Sequence, residues 1–489
     1  MKPLDSPLNS GPASNLRSGT RAFMILVSVF FFWGFVAASN DILIPVFKEQ
    51  LKLSQNQALN VSIAFYVAYT VGSLLYVLIS RLTGQDLLNR LGYKNGIAIG
   101  LLISALGTLL FYPAAQSSSY PLMLSGLFIV GLGFSLQQTA ANPMTINLGD
   151  PKKGSQRLSL AGGINNIGTT IGPVLVSFAI FGSLGKGMKL DSLESVKIPY
   201  LILGLAFVLV AILFKFSSLP DKIIPASDAN EKEESAQKGA LAYPQLVLGM
   251  IAIFLYVGVE VSTAANLPEF MRQKLGTRTQ DVAPYVSLFW ASLMIGRWTG
   301  AVGAFDLSKG WKTILGFILP YAAFGVFLIV NFIAGSDLTP FYYYLGVVLV
   351  IIIADIASRG NPVRQLVLFS ALGILSLLIG IFASGMISVY AFIAVGLFCS
   401  TLWPCIFTLA IAGLGKRTND GSSFLIMMIM GGGLVSKAQG LVSETSVGIQ
   451  WSYMVGVCCF LYLLIYGILV KNILKRQGIV YDTEPGGGN

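Results

Sequence analysis

Residues 30–45 read Phe30-Phe31-Phe32-Trp33-Gly34-Phe35-Val36-Ala37-Ala38-Ser39-Asn40-Asp41-Ile42-Leu43-Ile44-Pro45, an apolar run that carries one carboxylate. A charged side chain inside a membrane helix costs about 2.5–3.5 kcal/mol on insertion scales, so it normally faces a protein interior or a watery cavity. The run therefore predicts a membrane-spanning helix over about residues 22–48. It also makes Asp41 the first candidate for a functional group.

The composition of the whole chain is that of a membrane protein. The chain has 489 residues, of which 54% are hydrophobic and 11% are charged, whereas a soluble domain carries about 25% charged residues. Apolar stretches close to the ~20 residues that span a bilayer as a helix recur along the chain. These features predict an all-α polytopic membrane protein with about 14 spans. A transmembrane β-barrel would instead have short strands of alternating polarity.

The distribution of positive charge indicates the orientation of the chain. The net charge is +10, and most of the 32 Lys and Arg residues fall in loops on the side shared with the N-terminus. Short loops rich in Lys and Arg stay in the cytoplasm. We therefore expect a multi-pass protein of the plasma (inner) membrane with both termini cytoplasmic. The lipid bilayer is the expected partner, and nucleic acid is not.

The residue inventory excludes several kinds of site. The chain has no histidine, which excludes His-based metal sites, Ser-His-Asp triads and histidine proton relays. Its four cysteines lie in apolar stretches without metal-ligand spacing, so neither a metal site nor a disulfide framework is expected. Residues 431–433 are three glycines, but they lack the sequence context of a phosphate-binding loop. An ATP-driven pump is therefore not expected.

A polar linker divides the chain into two halves that resemble each other. We predict a cytoplasmic tail at 1–21, a six-helix bundle at 22–217, a linker at 218–243, a second bundle at 244–472 with two extra helices at about 313–357, and a cytoplasmic tail at 473–489. The pattern P-x-F-x-x-Q ends the first helix of each half, downstream of Asp41 and Glu260 respectively. Parallel repeats are typical of transporters whose site lies between them near the midplane.

Two carboxylates are candidates for binding a sugar hydroxyl or a coupling cation. Asp41 follows Asn40, which we also assign to the substrate site, and Glu260 lies midway along its predicted span. The alternative for Asp41 is a carboxylate that snorkels toward the outer interface. The alternative for Glu260 is a structural hydrogen bond between helices.

Amide side chains cluster on two neighbouring predicted helices. Gln137, Gln138 and Asn142 lie on one helix, and Asn165 lies on the next. Gln138 and Asn142 are four residues apart and therefore share a face. Amides both donate and accept hydrogen bonds, which suits sugar hydroxyls. Polar contacts that only join helices are the alternative interpretation.

Two further residues complete the predicted substrate site. Trp403 precedes Pro404 in a helix that corresponds by repeat to the Gln138 helix, and its ring is a candidate for stacking on a pyranose. Most tryptophans in membrane proteins anchor the interface or fill packing gaps, which is the alternative. Gln439, one helical turn before Ser443, is a weaker candidate.

Several sequence blocks carry a resemblance to a known family. They are residues 40–45, 138–143, 256–260, 296–300, 421–424 and 431–433. With these blocks the chain resembles the fucose–glucose–galactose porter branch of the major facilitator superfamily. The resemblance implies a major facilitator fold of two six-helix bundles, alternating access and cation-coupled sugar uptake. Gln138 stands where fucose-type members have Glu, which favours the glucose/galactose type, and the two extra helices have no counterpart in the twelve-helix pattern.

The combined prediction is a secondary active transporter, and not an enzyme, that takes up a hexose such as glucose or galactose. A carboxylate in a low-dielectric cavity holds a proton more readily than in water, so Asp41 and Glu260 are the candidates for cation coupling. The family resemblance favours the proton, although the same oxygens suit Na⁺. No cofactor is expected, and we expect a monomer. The alternatives are a fucose or N-acetylhexosamine symporter of the same branch and a transporter-like sugar sensor.

Overall fold

The apolar stretches of this chain form helices because a bilayer offers no partner for backbone N–H and C=O groups. A helix satisfies all of them inside one segment. The computed structural model describes residues 22–36, 55–181, 194–217, 219, 221, 239–305 and 307–481, and all regular structure within these ranges is helical. Three predictions concern residues outside these ranges. They are the site roles of Asn40 and Asp41, the N-terminal tail and most of the linker.

The helices fall into two sets on either side of the predicted linker. The N-terminal half contains α1 (Ala22–Val36), α2 (Gln55–Leu82), α3 (Leu87–Leu91), α4 (Tyr93–Leu109), α5 (Phe111–Gln116), α6 (Tyr120–Asn147), α7 (Gly154–Phe181) and α8 (Glu194–Lys215). The C-terminal half contains α9 (Pro244–Leu275), α10 (Thr279–Ala301), α11 (Lys309–Ile333), α12 (Tyr344–Ser358), α13 (Pro362–Phe382), α14 (Met386–Cys399), α15 (Leu402–Ile411), α16 (Thr418–Met427), α17 (Gly431–Ser443), α18 (Gly448–Ser452) and α19 (Met454–Arg476).

Capping residues mark several helix ends. Asp86 caps α3 by accepting a hydrogen bond from the N–H of Asn89 at 2.7 Å, and Asn361 caps α13 by accepting from the N–H of Val363 at 2.9 Å. Helix α9 ends at Gly276, whose φ of +66° lies in the left-handed region that glycine adopts without strain. These caps satisfy backbone groups that a helix leaves unpaired at its ends.

Ten helical segments in the described part of the chain are long and apolar enough to cross a membrane. Two shorter apolar helices, Ala22–Val36 and Tyr200–Lys215, accompany them. The two predicted extra helices correspond to α11 and α12, and both belong to the ten segments. Helix α11 packs against α10, and α12 contacts α10, α13 and α14, so the pair packs on the side of the C-terminal bundle.

The two halves meet mainly where α16 packs against α2 and α6 and where α7 packs against α10. Glycine lets α7 and α10 approach closely, because a Cβ added at Gly163 would lie 2.7 Å from Cδ1 of Trp298. The indole Nε1 of Trp298 donates a hydrogen bond to the carbonyl of Gly163 at 3.1 Å. Small residues are usual where membrane helices pack this tightly.

One end of the two bundles is closed by hydrogen bonds between them. We term this end the basic-loop face; it comprises the loops at residues 83–92, 148–153, 359–361 and 412–417. Asn419 Nδ2 donates to Asp86 Oδ1 at 2.9 Å, and Tyr93 Oη donates to Asn419 Oδ1. Gln156 Nε2 donates to the carbonyl of Gly360 at 3.4 Å, so the turn after α12 also contributes to this closure.

Candidate functional site

A central cavity of about 320 Å³ lies between the two bundles. Small-molecule sites in proteins usually measure about 300–1,000 Å³, so this cavity is large enough for a small polar ligand. Helices α1, α2, α6 and α7 line it from the N-terminal half, and α9, α10 and α15 line it from the C-terminal half. The cavity therefore lies where the parallel repeats of the sequence predict a site.

Glu260 is the one carboxylate among the described residues that line this cavity. Its side chain is half-buried, and its Oε2 accepts a hydrogen bond from Tyr256 Oη, four residues earlier on the same helix. Arg297 of α10 also lines the cavity, and its positive charge acts on Glu260 through space. The cavity thus brings together a carboxylate, which can bind a proton, and a phenol and a guanidinium, which can donate hydrogen bonds to hydroxyls.

The guanidinium of Arg297 joins both bundles beside the cavity. Its Nη1 donates to Asn166 Oδ1 at 2.8 Å and reaches the carbonyl of Gly162 at 3.5 Å, so it ties α10 to α7. A Cβ added at Gly162 would lie 3.2 Å from Cδ of Arg297, which explains why a glycine suits this position. A bond from a charged donor is stronger than a neutral one, so this contact orients the Arg297 side chain.

A proline-induced break gives Arg297 its third partner. In an unbroken helix the carbonyl of Ser400 would accept from the N–H of residue 404, but Pro404 has none. Helix α14 accordingly ends at Cys399 and α15 begins at Leu402. Arg297 Nε supplies the missing donor, 3.2 Å from the Ser400 oxygen.

Three of the predicted amides line the cavity. Gln138 donates from Nε2 to Tyr69 Oη at 2.9 Å, and Asn165 donates from Nδ2 to the carbonyl of Phe30 at 2.8 Å. Asn142 is 2% exposed, and its Nδ2 has no hydrogen-bond partner among the residues that the structure describes. A buried donor without a partner is costly. Asn142 is therefore well suited to donate to a bound ligand.

Two other predicted site residues, Gln137 and Gln439, are not among those that line the cavity. Gln137 is fully buried; its Oε1 accepts from Trp33 Nε1 at 2.6 Å, and its Nε2 donates to Ser104 Oγ at 3.0 Å. It thereby joins α6 to α1 and α4. Gln439 is also fully buried, and its Nε2 donates to Ser452 Oγ at 3.4 Å.

Aromatic rings form much of the remaining wall. Trp403 lines the cavity and lies 6.1 Å, centroid to centroid, from the ring of Tyr256. Tyr66, Tyr69 and Trp290 also line it, and the two tyrosines did not belong to the predicted binding site. Aromatic faces offer an apolar surface against which the C–H face of a sugar ring can pack.

Arg297 was missing from the predicted site although the sequence contains a usable signal for it. A charged side chain within an apolar span is costly, and this rule drew attention to Asp41. Applied to residues 279–301, the same rule would have marked Arg297. The tyrosines carry no comparable signal, because a single tyrosine in an apolar helix is common in cores and at interfaces.

A sequence profile described as the Major Facilitator Superfamily matches residues 22–352, which is more than half of the chain. The chain belongs to this superfamily. The major facilitator fold accounts for the pair of helical bundles with a cavity between them. The resemblance stated from the sequence blocks is therefore confirmed.

Named relatives and solved structures of the superfamily cover almost the whole chain. A protein of Brucella abortus named glucose/galactose transporter is 31% identical over 469 residues, which are 96% of this chain and 98% of that protein. The L-fucose-proton symporter of Escherichia coli is 29% identical over 472 residues, with 93% and 94% covered. A crystal structure of the major facilitator transporter FucP in the outward conformation superposes with a TM-score of 0.72 at 26% identity, covering 93% of this chain and 99% of that one. These proteins are transporters, which confirms the prediction that the chain is not an enzyme.

Proposed function

We propose that the protein is a secondary active transporter that takes up a hexose, such as glucose or galactose, with a coupled cation by alternating access. The observation that carries this proposal is the composition of the central cavity. One carboxylate, three amides and three indoles from both bundles line a single space of about 320 Å³. Amides donate hydrogen bonds to hydroxyls and accept from them, a carboxylate accepts from them, and aromatic rings pack on apolar ring faces.

A hexose fits this cavity better than an apolar ligand does. Gln138 and Asn165 each use one amide hydrogen bond within the protein, so each has further donor or acceptor capacity. Asn142 contributes an unpaired donor. The relatives named glucose/galactose transporter support the glucose/galactose type, and the relative named L-fucose-proton symporter supports fucose as the second candidate. An N-acetylhexosamine is a third possibility within the same chemistry.

The coupled cation is proposed to be a proton. Glu260 in the cavity and Asp41, which lies outside the described residues, are the two acidic groups proposed to carry it. The chain has no histidine that could take this role. The proton coupling named for the fucose relative supports this choice over Na⁺.

The proposed topology follows the prediction of fourteen spans with both termini in the cytoplasm. The ten long apolar segments, together with α1, α7, α8 and α10, are taken as these spans. In this arrangement α11 and α12 form an additional pair beside a core of two six-helix bundles. The basic-loop face then lies in the cytoplasm, which agrees with the rule that Lys- and Arg-rich loops stay on that side. The protein is proposed to work as a monomer.

Uptake into proteoliposomes tests this proposal. With purified protein we expect accumulation of labelled glucose or galactose under an imposed inward proton gradient, and none under a Na⁺ gradient alone. Accumulation that follows only the Na⁺ gradient would identify Na⁺, and not the proton, as the coupled cation. Sugar binding without any exchange of sugar across the membrane would instead indicate a sensor, and transport that ignores both gradients would contradict symport.

The carboxylate role is tested by Glu260→Gln with Glu269→Gln as the matched control. Both residues lie on α9, but Glu269 is at the surface and pairs with Arg272 at 2.6 Å. We expect Glu260→Gln to lose gradient-driven accumulation and to keep counterflow exchange, whereas Glu269→Gln keeps both. Asp41→Asn is expected to behave like Glu260→Gln. Full accumulation in both Glu260→Gln and Asp41→Asn would remove these carboxylates from the coupling mechanism.

A further inference from the structure

A second cavity lies on the outer side of the N-terminal bundle, in the groove between α4 and α8. Its volume is about 470 Å³, and no described residue of the C-terminal half lines it. Most of its walls are apolar side chains, among them Leu102, Ile212 and Phe216, which are 44%, 49% and 82% exposed. Exposed apolar side chains on a membrane helix contact lipid tails, so this groove opens toward the bilayer.

The end of the groove at the basic-loop face is polar. Lys215, the last residue of α8, donates from Nζ to Asn95 Oδ1 at 2.8 Å, and both side chains line the groove. Asn95 Nδ2 in turn donates to the carbonyl of Leu91 at 2.6 Å, which fixes the orientation of its amide. Within the described ranges Lys215 pairs with no carboxylate, whereas the nearby Lys94 pairs with Asp221 at 3.3 Å.

We propose that the α4–α8 groove binds an anionic phospholipid of the adjoining leaflet, with an acyl chain along the apolar wall and the headgroup phosphate on Lys215. The groove is complementary to such a lipid in two respects. The long wall is apolar where the hydrocarbon lies, and the cation stands at the end where the headgroups begin. A soluble anion would use Lys215 but gain nothing from the apolar wall.

The expected loss of lipid affinity follows from the single positive charge of Lys215. A Lys near an anionic membrane surface contributes about 1 kcal/mol, so losing it should weaken binding of the lipid about fivefold. Lys197 provides a matched control, because it lies on the same helix toward the opposite end and its Nζ stands 5.3 Å from the ring centroid of Tyr112. Leu102→Trp provides a test of the apolar wall, because it fills the groove from an exposed position.

The experiment is native mass spectrometry of the full-length protein with added phosphatidylglycerol, phosphatidylcholine or inorganic phosphate. We expect phosphatidylglycerol to bind more tightly than phosphatidylcholine, Lys215→Ala to weaken that binding about fivefold, Leu102→Trp to weaken it as well, and Lys197→Ala to leave it unchanged. Equal binding of the two lipids, or an equal loss in Lys197→Ala, would overturn the proposal. Displacement by inorganic phosphate would also overturn it, as would full binding in Leu102→Trp, since the apolar wall would then not be used.

Discussion

Asn419 is the residue that joins the two bundles most directly at the basic-loop face. It accepts a hydrogen bond from Tyr93 Oη and donates to Asp86 Oδ1 at 2.9 Å and to Asn89 Oδ1 at 3.3 Å. A hydrogen bond contributes about 0.5–1.5 kcal/mol net, and one to a charged group about 1.5–3 kcal/mol. The bond to Asn89 is the longest and contributes least, so the total is set mainly by the bonds to Asp86 and Tyr93. We therefore expect Asn419→Ala to destabilise the closed face by about 2–3 kcal/mol.

This loss should shift the equilibrium between a closed and an open basic-loop face about 30- to 150-fold toward the open form. A cysteine introduced at Ser423 reports on that equilibrium, because Ser423 is fully buried and its hydroxyl donates to the carbonyl of Ser73 in the other bundle at 3.1 Å. The exposed Cys458 would first be replaced by serine. We expect Asn419→Ala to accelerate labelling by a membrane-impermeant maleimide by a similar factor, as long as the closed form dominates.

The matched control for this experiment is Asn147→Ala. Asn147 lies at the same end of the bundles, but its amide donates within its own helix, to the carbonyl of Pro143 at 2.9 Å. Its removal should leave the labelling rate unchanged. An unchanged rate in Asn419→Ala, or an equal acceleration in Asn147→Ala, would refute the conclusion that Asn419 holds the bundles together.

Two further substitutions test packing and the cavity wall. Gly163→Ala should overpack the contact with Trp298, which costs about 1–3 kcal/mol of stability and lowers the unfolding temperature. Gly316→Ala should leave the unfolding temperature unchanged, because the added methyl group meets open space. A thermal unfolding scan in detergent distinguishes the two. Trp403→Ala should weaken hexose binding roughly tenfold, as expected for loss of an aromatic contact. Trp451→Ala, away from the cavity, should bind normally in the same titration, and equal weakening in both would contradict the stacking role.

Helix existence was predictable from this sequence, but the way the helices meet was not. Apolar length identifies ten segments of the described chain as long enough to cross a membrane, and a bilayer leaves their backbone no alternative to a helix. Pro404 also contains enough information to predict the break that separates α14 from α15. The contact between Tyr93 and Asn419 joins residues 326 positions apart, and no local pattern carries such a pairing.

The candidate site was predicted in part, and Gln137 and Gln138 illustrate the limit. Adjacent residues on a helix point about 100° apart, so only one of the two amides can face the cavity. Gln138 lines the cavity, whereas Gln137 bonds to Trp33 and Ser104. A polarity stripe normally tells two such faces apart. Helix α6 packs against α2, α4, α7 and α16, so polar residues such as Ser135 and Thr139 are buried as well, and polarity does not mark the cavity face.

The helix break at Pro404 connects the cavity wall with the contact between the bundles. The same break that positions Trp403 in the wall also exposes the Ser400 carbonyl to Arg297. Arg297 Nη1 donates to α7, while the positive charge of the guanidinium acts on Glu260. Neutralising Glu260 by a proton would remove that attraction and leave Arg297 held only by its hydrogen bonds. In the proposed transport cycle, protonation in the cavity therefore acts directly on a residue that joins the two bundles.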